Sequence, residues 1–237
     1  MKQRGRPGVA PLLAGGVVLM VLSVLGALSL LSLPERHLPS RPASVLMVPL
    51  GVAGEEGSYP DAATLSALSS DLRRSLHCEY AVATPATLPR RFLSAETAQL
   101  RVDRALTEVA RRYSGKGYFR VLAVTAQDVT VPDYNFLFGL AQSPGLAAII
   151  SVHRLSRGAD GQRRRERIAK IALHELGHTL GLAHTSDQQS VMVYSNSLPE
   201  LDAAGRYFTQ HEVAMLLRLH PGLAGKVFAH GSGAPAG

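Results

Sequence analysis

Eleven residues, His174 to His184 (HELGHTLGLAH), constrain this 237-residue chain more than any other stretch. They follow an apolar, helix-forming run (IAKIAL, residues 168–173), and His174 and His178 stand four apart. On a helix that spacing puts both imidazoles on one face, one turn from each other, as two ligands of a single tetrahedral ion require. Ala172, Leu173, Leu176 and Leu180 supply apolar neighbours, so the helix can be buried with its histidines toward a cleft. Gly181 then limits the helix. A glycine just past the last turn adopts positive φ without steric cost and reverses the chain. With that stop, His184 can fold back as a third nitrogen ligand; without it, the axis would carry His184 away.

Three imidazoles leave the fourth tetrahedral position to water, the arrangement of a catalytic rather than a structural zinc. Glu175 points about a quarter turn around the helix from His174, which makes it a poor ligand but places it to touch that water. Zinc lowers the water's pKa to roughly 7, and a carboxylate can take its proton during attack and return it to a leaving amine. A lone histidine on an apolar helix is more often a core residue, and a bare HExxH recurs by chance. Five specified residues over eleven positions, with glycine where the helix must stop, form a far more specific pattern. The chemistry expected is amide hydrolysis assisted by one zinc ion, with His174, His178 and His184 as ligands and Glu175 as general base. Two alternatives share the motif: a catalytically silent zinc-binding scaffold that presents peptides at a membrane, and hydrolysis of a non-peptide amide.

The extended motif resembles that of the metzincin clan of zinc metallopeptidases. Those enzymes carry a methionine turn beneath the metal, and Met192, eight residues after His184, fits that place as an apolar floor. Residues 195–202 (SNSLPELD), 135–141 (NFLFGLA) and 150–155 (ISVHRL) are similar to the archaemetzincin family in particular. The likeness runs from about residue 44 to 219. It implies a metzincin-like, zincin-like α+β fold: a mixed β-sheet with backing helices, the active-site helix, and a small, mainly helical C-terminal subdomain. It also implies an antiparallel edge strand lining the cleft, a role that residues 147–155 would take. Archaemetzincins hold a second, structural zinc on four cysteines. Thr185, Ser190, Gln210 and Val213 stand at those places, so the second ion is expected to be absent. Tyr194, two residues after the methionine, is read as packing under the site; the alternative is a ligand or oxyanion-donor role of the kind that a tyrosine there has in the astacin and serralysin branches.

Read in order, the chain predicts a buried strand at residues 44–50 and a helix capped by Asp61 that runs to about His77, with Leu65, Leu68, Leu72 and Leu76 inward. A strand follows at 80–83, then a helix capped by Ser94 reaching Tyr113, with Leu100, Leu106 and Val109 inward. Strands at 119–125, 135–141 and 147–155 precede the motif helix, which Arg163, Arg164, Arg165 and Arg167 open. Cations oppose the dipole there, and the cluster reads as a solvated loop. His153 reads as structural. Thr209 and Glu212 have capping-box spacing and start a last helix that ends near His220, before Pro221.

The N-terminus reads differently. Lys2, Arg4 and Arg6 precede an uncharged apolar run at residues 9–33, long enough to span a bilayer. An uncleaved anchor with the remainder extracytoplasmic is expected, a cleaved signal and secretion being the alternative. Residues 34–43, with three prolines, form a linker; 44–220 form the peptidase domain, divided at 181/182; and 221–237 read as a flexible tail. Net charge is +7, of which residues 34 onward keep +4, because residues 1–33 hold three cations and no acid. That is too mild for a nucleic-acid partner; the expected partner is a peptide or protein substrate. Cys78 is the sole cysteine, which excludes an intrachain disulfide.

Overall fold

The computed structural model describes residues 43–227. Its elements, in chain order, are β1 (Ser44–Val52), α1 (Ala62–Leu72), β2 (Glu79–Val82), β3 (Ala86–Leu88), β4 (Leu100–Arg101) and α2 (Val102–Tyr113). Then come β5 (Arg120–Thr125), β6 (Val129–Thr130), β7 (Gly139–Ala141), β8 (Ala147–Ser151), α3 (Gly161–Thr179), α4 (Leu198–Ala203) and α5 (Gln210–Leu219). The expected anchor at 9–33 and nearly all of the linker lie outside the described residues. No helix among the described residues is long and apolar enough to cross a membrane.

The apolar runs in β1, β5 and β8 are continuous because both faces of these strands are covered. Alternation sorts their side chains. Val45 and Met47 join the α1 leucines and the apolar side of α3, whereas Leu46 and Val48 pack with Leu106 and Val109 of α2. The result is a mixed sheet between helical layers, in the order β2-β1-β5-β8-β7, with β3 also on β1. All these pairings are parallel except β7 with β8, which is antiparallel.

That order corrects the assignment of the edge. Residues 147–151 are an interior strand, paired on both sides, and β7 is the terminal antiparallel strand. The expected strand at 135–141 forms only over its last three residues. Before them, Gln99 Nε2 donates to Asn135 C=O at 2.7 Å, the Arg154–Asp128 ion pair lies beside Phe136, and Leu137 makes a single bridge to Val129.

Other boundaries moved for local reasons. α1 stops at Leu72 as 3-10 bonds tighten its end, and Leu76, fully buried, bridges Val227. Ser94 does not cap α2. Its Oγ accepts the Glu96 and Thr97 N–H groups, closing a turn; Ala98 then takes a left-handed φ of 55°, and Leu100–Arg101 pair with Val129–Thr130 before the helix begins. The arginine cluster is helical rather than a solvated loop. Asp160 caps α3, Arg165 pairs with Asp71 of α1, and Arg167, 4% exposed, makes a two-bond pair with Asp202 at 2.6 Å. Residues 221–227 are not a flexible tail: Pro221–Leu223 form a 3-10 turn, and Leu223 and Val227 are buried; residues 228–237 lie outside the described residues. The capping box of Thr209 and Glu212 is present as read.

Candidate metal centre

α3 ends in a Schellman arrangement. Gly181 has φ +95°, its N–H donates to His178 C=O at 2.9 Å, and Leu182 N–H donates to Gly177 C=O at 3.0 Å. The chain therefore doubles back and returns His184 to the face that His174 and His178 share. The three Nε2 atoms lie 3.1, 3.1 and 3.2 Å apart.

The tautomers of two rings follow from their outer partners. His174 Nδ1 faces Val191 C=O and His178 Nδ1 faces Leu182 C=O, each at 2.8 Å. A carbonyl can only accept, so both Nδ1 atoms carry the proton and both Nε2 atoms are bare lone pairs. Burial keeps the rings neutral: His174 is pushed down to about 3, by burial and then by the neighbouring His178 charge. His184 is pushed down to about 4 by the same two causes, and His178 is lowered chiefly by burial. Bare nitrogens turned toward one another repel unless a cation lies between them. Ligands about 2.0–2.1 Å from a tetrahedral zinc are roughly 3.3–3.4 Å from each other, close to the spacing found. The donor set fits zinc.

Glu175, 7% exposed, lies against the terminal strand. A β-carbon at Gly139 would be 2.7 Å from both Glu175 Cγ and Oε1, so only glycine leaves room for this carboxyl. Burial raises its pKa to about 8. Glu175, His174, His184 and Tyr194 open on one cavity of about 520 Å³, whose wall includes Gly139, Lys170, Ile171, Leu201 and Ala204. Met192, fully buried, lies beneath α3 at Gly177, where a β-carbon would be 2.5 Å from its sulfur. The Tyr194 ring stands 5.0 Å from that of His184. His153 turns its Nδ1 to Ala126 C=O and is not part of the cavity wall.

A sequence model of Peptidase family M54 matches residues 104–218. The archaemetzincin of Methanopyrus kandleri is 40% identical over 133 residues, covering 56% of this chain and 74% of that protein. The chain belongs to the archaemetzincin family. Two archaemetzincin crystal structures agree with this fold. That from M. kandleri has a TM-score of 0.63 and 31% identity, covering 77% of this chain and 98% of its own. That from Archaeoglobus fulgidus, complexed with malonate, gives 0.62 and 28%, covering 72% and 98%. As an archaemetzincin, this chain is a hydrolase of the zinc metallopeptidase class.

Reading the sequence missed several residues of this archaemetzincin site. Gly139 carried a signal, because glycine inside a strand marks close approach of another group. The carbonyls of Val191 and Leu182 carried none, since any residue supplies one. Lys170 was hidden in an apolar run; its ammonium donates to the carbonyls of Leu201, Asp202 and Ala204 at 2.9, 2.9 and 2.6 Å.

Proposed function

We propose that this archaemetzincin hydrolyses peptide bonds with one zinc ion on His174, His178 and His184 and with Glu175 as the general base. The observation that carries the reading is the triangle of Nε2 atoms, two of them bare, beside a buried carboxyl in a cavity. When bound, zinc supplies a Lewis acid that polarises the scissile carbonyl and brings a water's pKa to about 7. Gly139 lets the Glu175 carboxylate reach into the cavity, where it takes the proton of the attacking water and returns it to the leaving amine. Burial raises the Glu175 carboxyl to about 8 in the metal-free fold; a dication held by the three histidines would favour its ionised form. β7 offers its outer edge to an extended substrate backbone, as an added strand. Met192 floors the site without ligating. Tyr194 packs against His184, and a donor role toward the oxyanion is the alternative for its phenol.

The test is Glu175→Gln assayed on a quenched-peptide library, with zinc counted separately. Expected is zinc near one per chain and hydrolysis lower by about 10²–10⁴-fold. Hydrolysis at the wild-type rate removes Glu175 from the mechanism, and a wild-type chain inactive with zinc bound supports the scaffold reading. We also propose that residues 9–33 anchor the enzyme with its catalytic part extracytoplasmic; release from membranes by carbonate washing would contradict it.

A further inference from the structure

The hydrogen bonds around the methionine turn form an unbroken line from α5 to the metal ligands. Glu212, 6% exposed, receives the Ser190 hydroxyl at 2.6 Å, and Ser190 is fully buried. The same carboxylate accepts Thr209 N–H at 2.7 Å, which fixes it to the start of α5. Ser190 Oγ in turn accepts Met192 N–H at 2.8 Å, and Val191 N–H donates to Tyr207 C=O at 2.9 Å. Between these bonds sits Val191 C=O, the acceptor for His174 Nδ1 at 2.8 Å. Met192 C=O accepts Thr185 N–H at 3.2 Å, one residue beyond His184. The tripeptide 190–192 thus supports two of the three ligands, and Ser190 and Glu212 hold that tripeptide in place. His178 relies instead on Leu182 C=O in the helix-ending turn.

We propose that Ser190 and Glu212 are positioning residues for the metal centre: through the carbonyls of residues 191 and 192 they set where His174 and His184 present their nitrogens. Neither touches the ion or the substrate. Ligand-orienting partners are worth about 10–100-fold in metal affinity, and the pin, one bond farther out, falls at the low end of that range. A buried serine paired with a buried carboxylate is also a costly arrangement to leave half-satisfied, so loss of either partner disturbs the turn rather than leaving it in place. The inference rests on the zinc reading above.

The experiment measures the zinc dissociation constant of the full chain by competition with a chromophoric chelator, alongside the melting temperature of the metal-free protein. Four proteins are compared: wild type, Ser190→Ala, Glu212→Gln and Thr209→Ala. Thr209→Ala breaks the other half of the α5 cap, in which Thr209 Oγ1 accepts Glu212 N–H at 3.3 Å, and leaves the Ser190–Glu212 bond intact. Expected is zinc binding weaker by about tenfold in Ser190→Ala, a smaller weakening in Glu212→Gln, and wild-type affinity in Thr209→Ala despite its lower melting temperature. Wild-type affinity in Ser190→Ala overturns the proposal, as does Thr209→Ala weakening zinc as much as Ser190→Ala does. Should Ser190→Ala not fold, Glu212→Gln decides on the same two criteria. A wild-type chain that binds no zinc sinks the metal reading and the pin together, whereas unchanged affinity in the variants sinks the pin alone.

Discussion

Glu175 and Gly139 act as a pair, because the carboxyl occupies the space a side chain on β7 would need. Gly139→Ala should therefore lower kcat by about 100-fold through displacement of Glu175, the proposed base, with zinc content and KM near wild type. Steady-state kinetics beside metal analysis checks this. Titration of the metal-free fold gives a second expectation. His174 and His184, depressed from 6.5 to about 3 and about 4, and His178, also lowered, stabilise the fold above pH 6.5 and lose that contribution as pH falls through their folded values. Glu175 runs the other way: raised from 4.5 to about 8, its contribution is present below 4.5 and lost as pH rises through 8. Three rings against one carboxyl put the melting maximum of the chelator-treated chain at about pH 7 from these groups. Zinc should raise the midpoint and flatten the alkaline side, since a dication favours the carboxylate. Melting curves with and without chelator across pH test both statements. The convergence of the three histidines and the helix-stopping glycine were legible because their spacing is itself the geometry. Gly139 was not read, because its partner is distant in sequence.

Among elements, the join between α3 and α4 decides the shape of the cavity wall. Arg167 donates to Asp202 twice and to the carbonyls of Leu155 and Arg157, and Lys170 gathers three carbonyls at the end of α4. Asp202→Ala would strand a buried guanidinium with carbonyls alone, a loss of about 1.5–3 kcal/mol. Chemical denaturation reads that loss. Because Leu201 and Ala204 line the cavity, KM for peptides should rise in the same variant. An arginine-rich opening looks solvated in a sequence, since charge speaks for water until its partners are known. Asp71 lies 94 residues from its partner Arg165, and Asp202 lies 35 from its partner Arg167: no local pattern joins them. The edge strand was misread for a related reason. Residues 147–150 (AAII) are unbroken by any polar side chain, and such a run marks a strand covered on both faces, so β7, which ends the sheet, was the better candidate for the rim.

On the scale of the whole molecule, the continuous apolar strands and the leucines of α1 made the layered α+β arrangement readable, because covered faces leave a record in composition. The closure of the chain left a fainter one. Residues 221–227 are short and contain two glycines, yet His77 N–H donates to Lys226 C=O at 2.6 Å and Leu76 bridges Val227. A protein cut after His220 would lack the plug over Leu76 and would present bare leucine surface to its neighbours. Light scattering should find it clumping at concentrations where one ending at Val227 remains monodisperse.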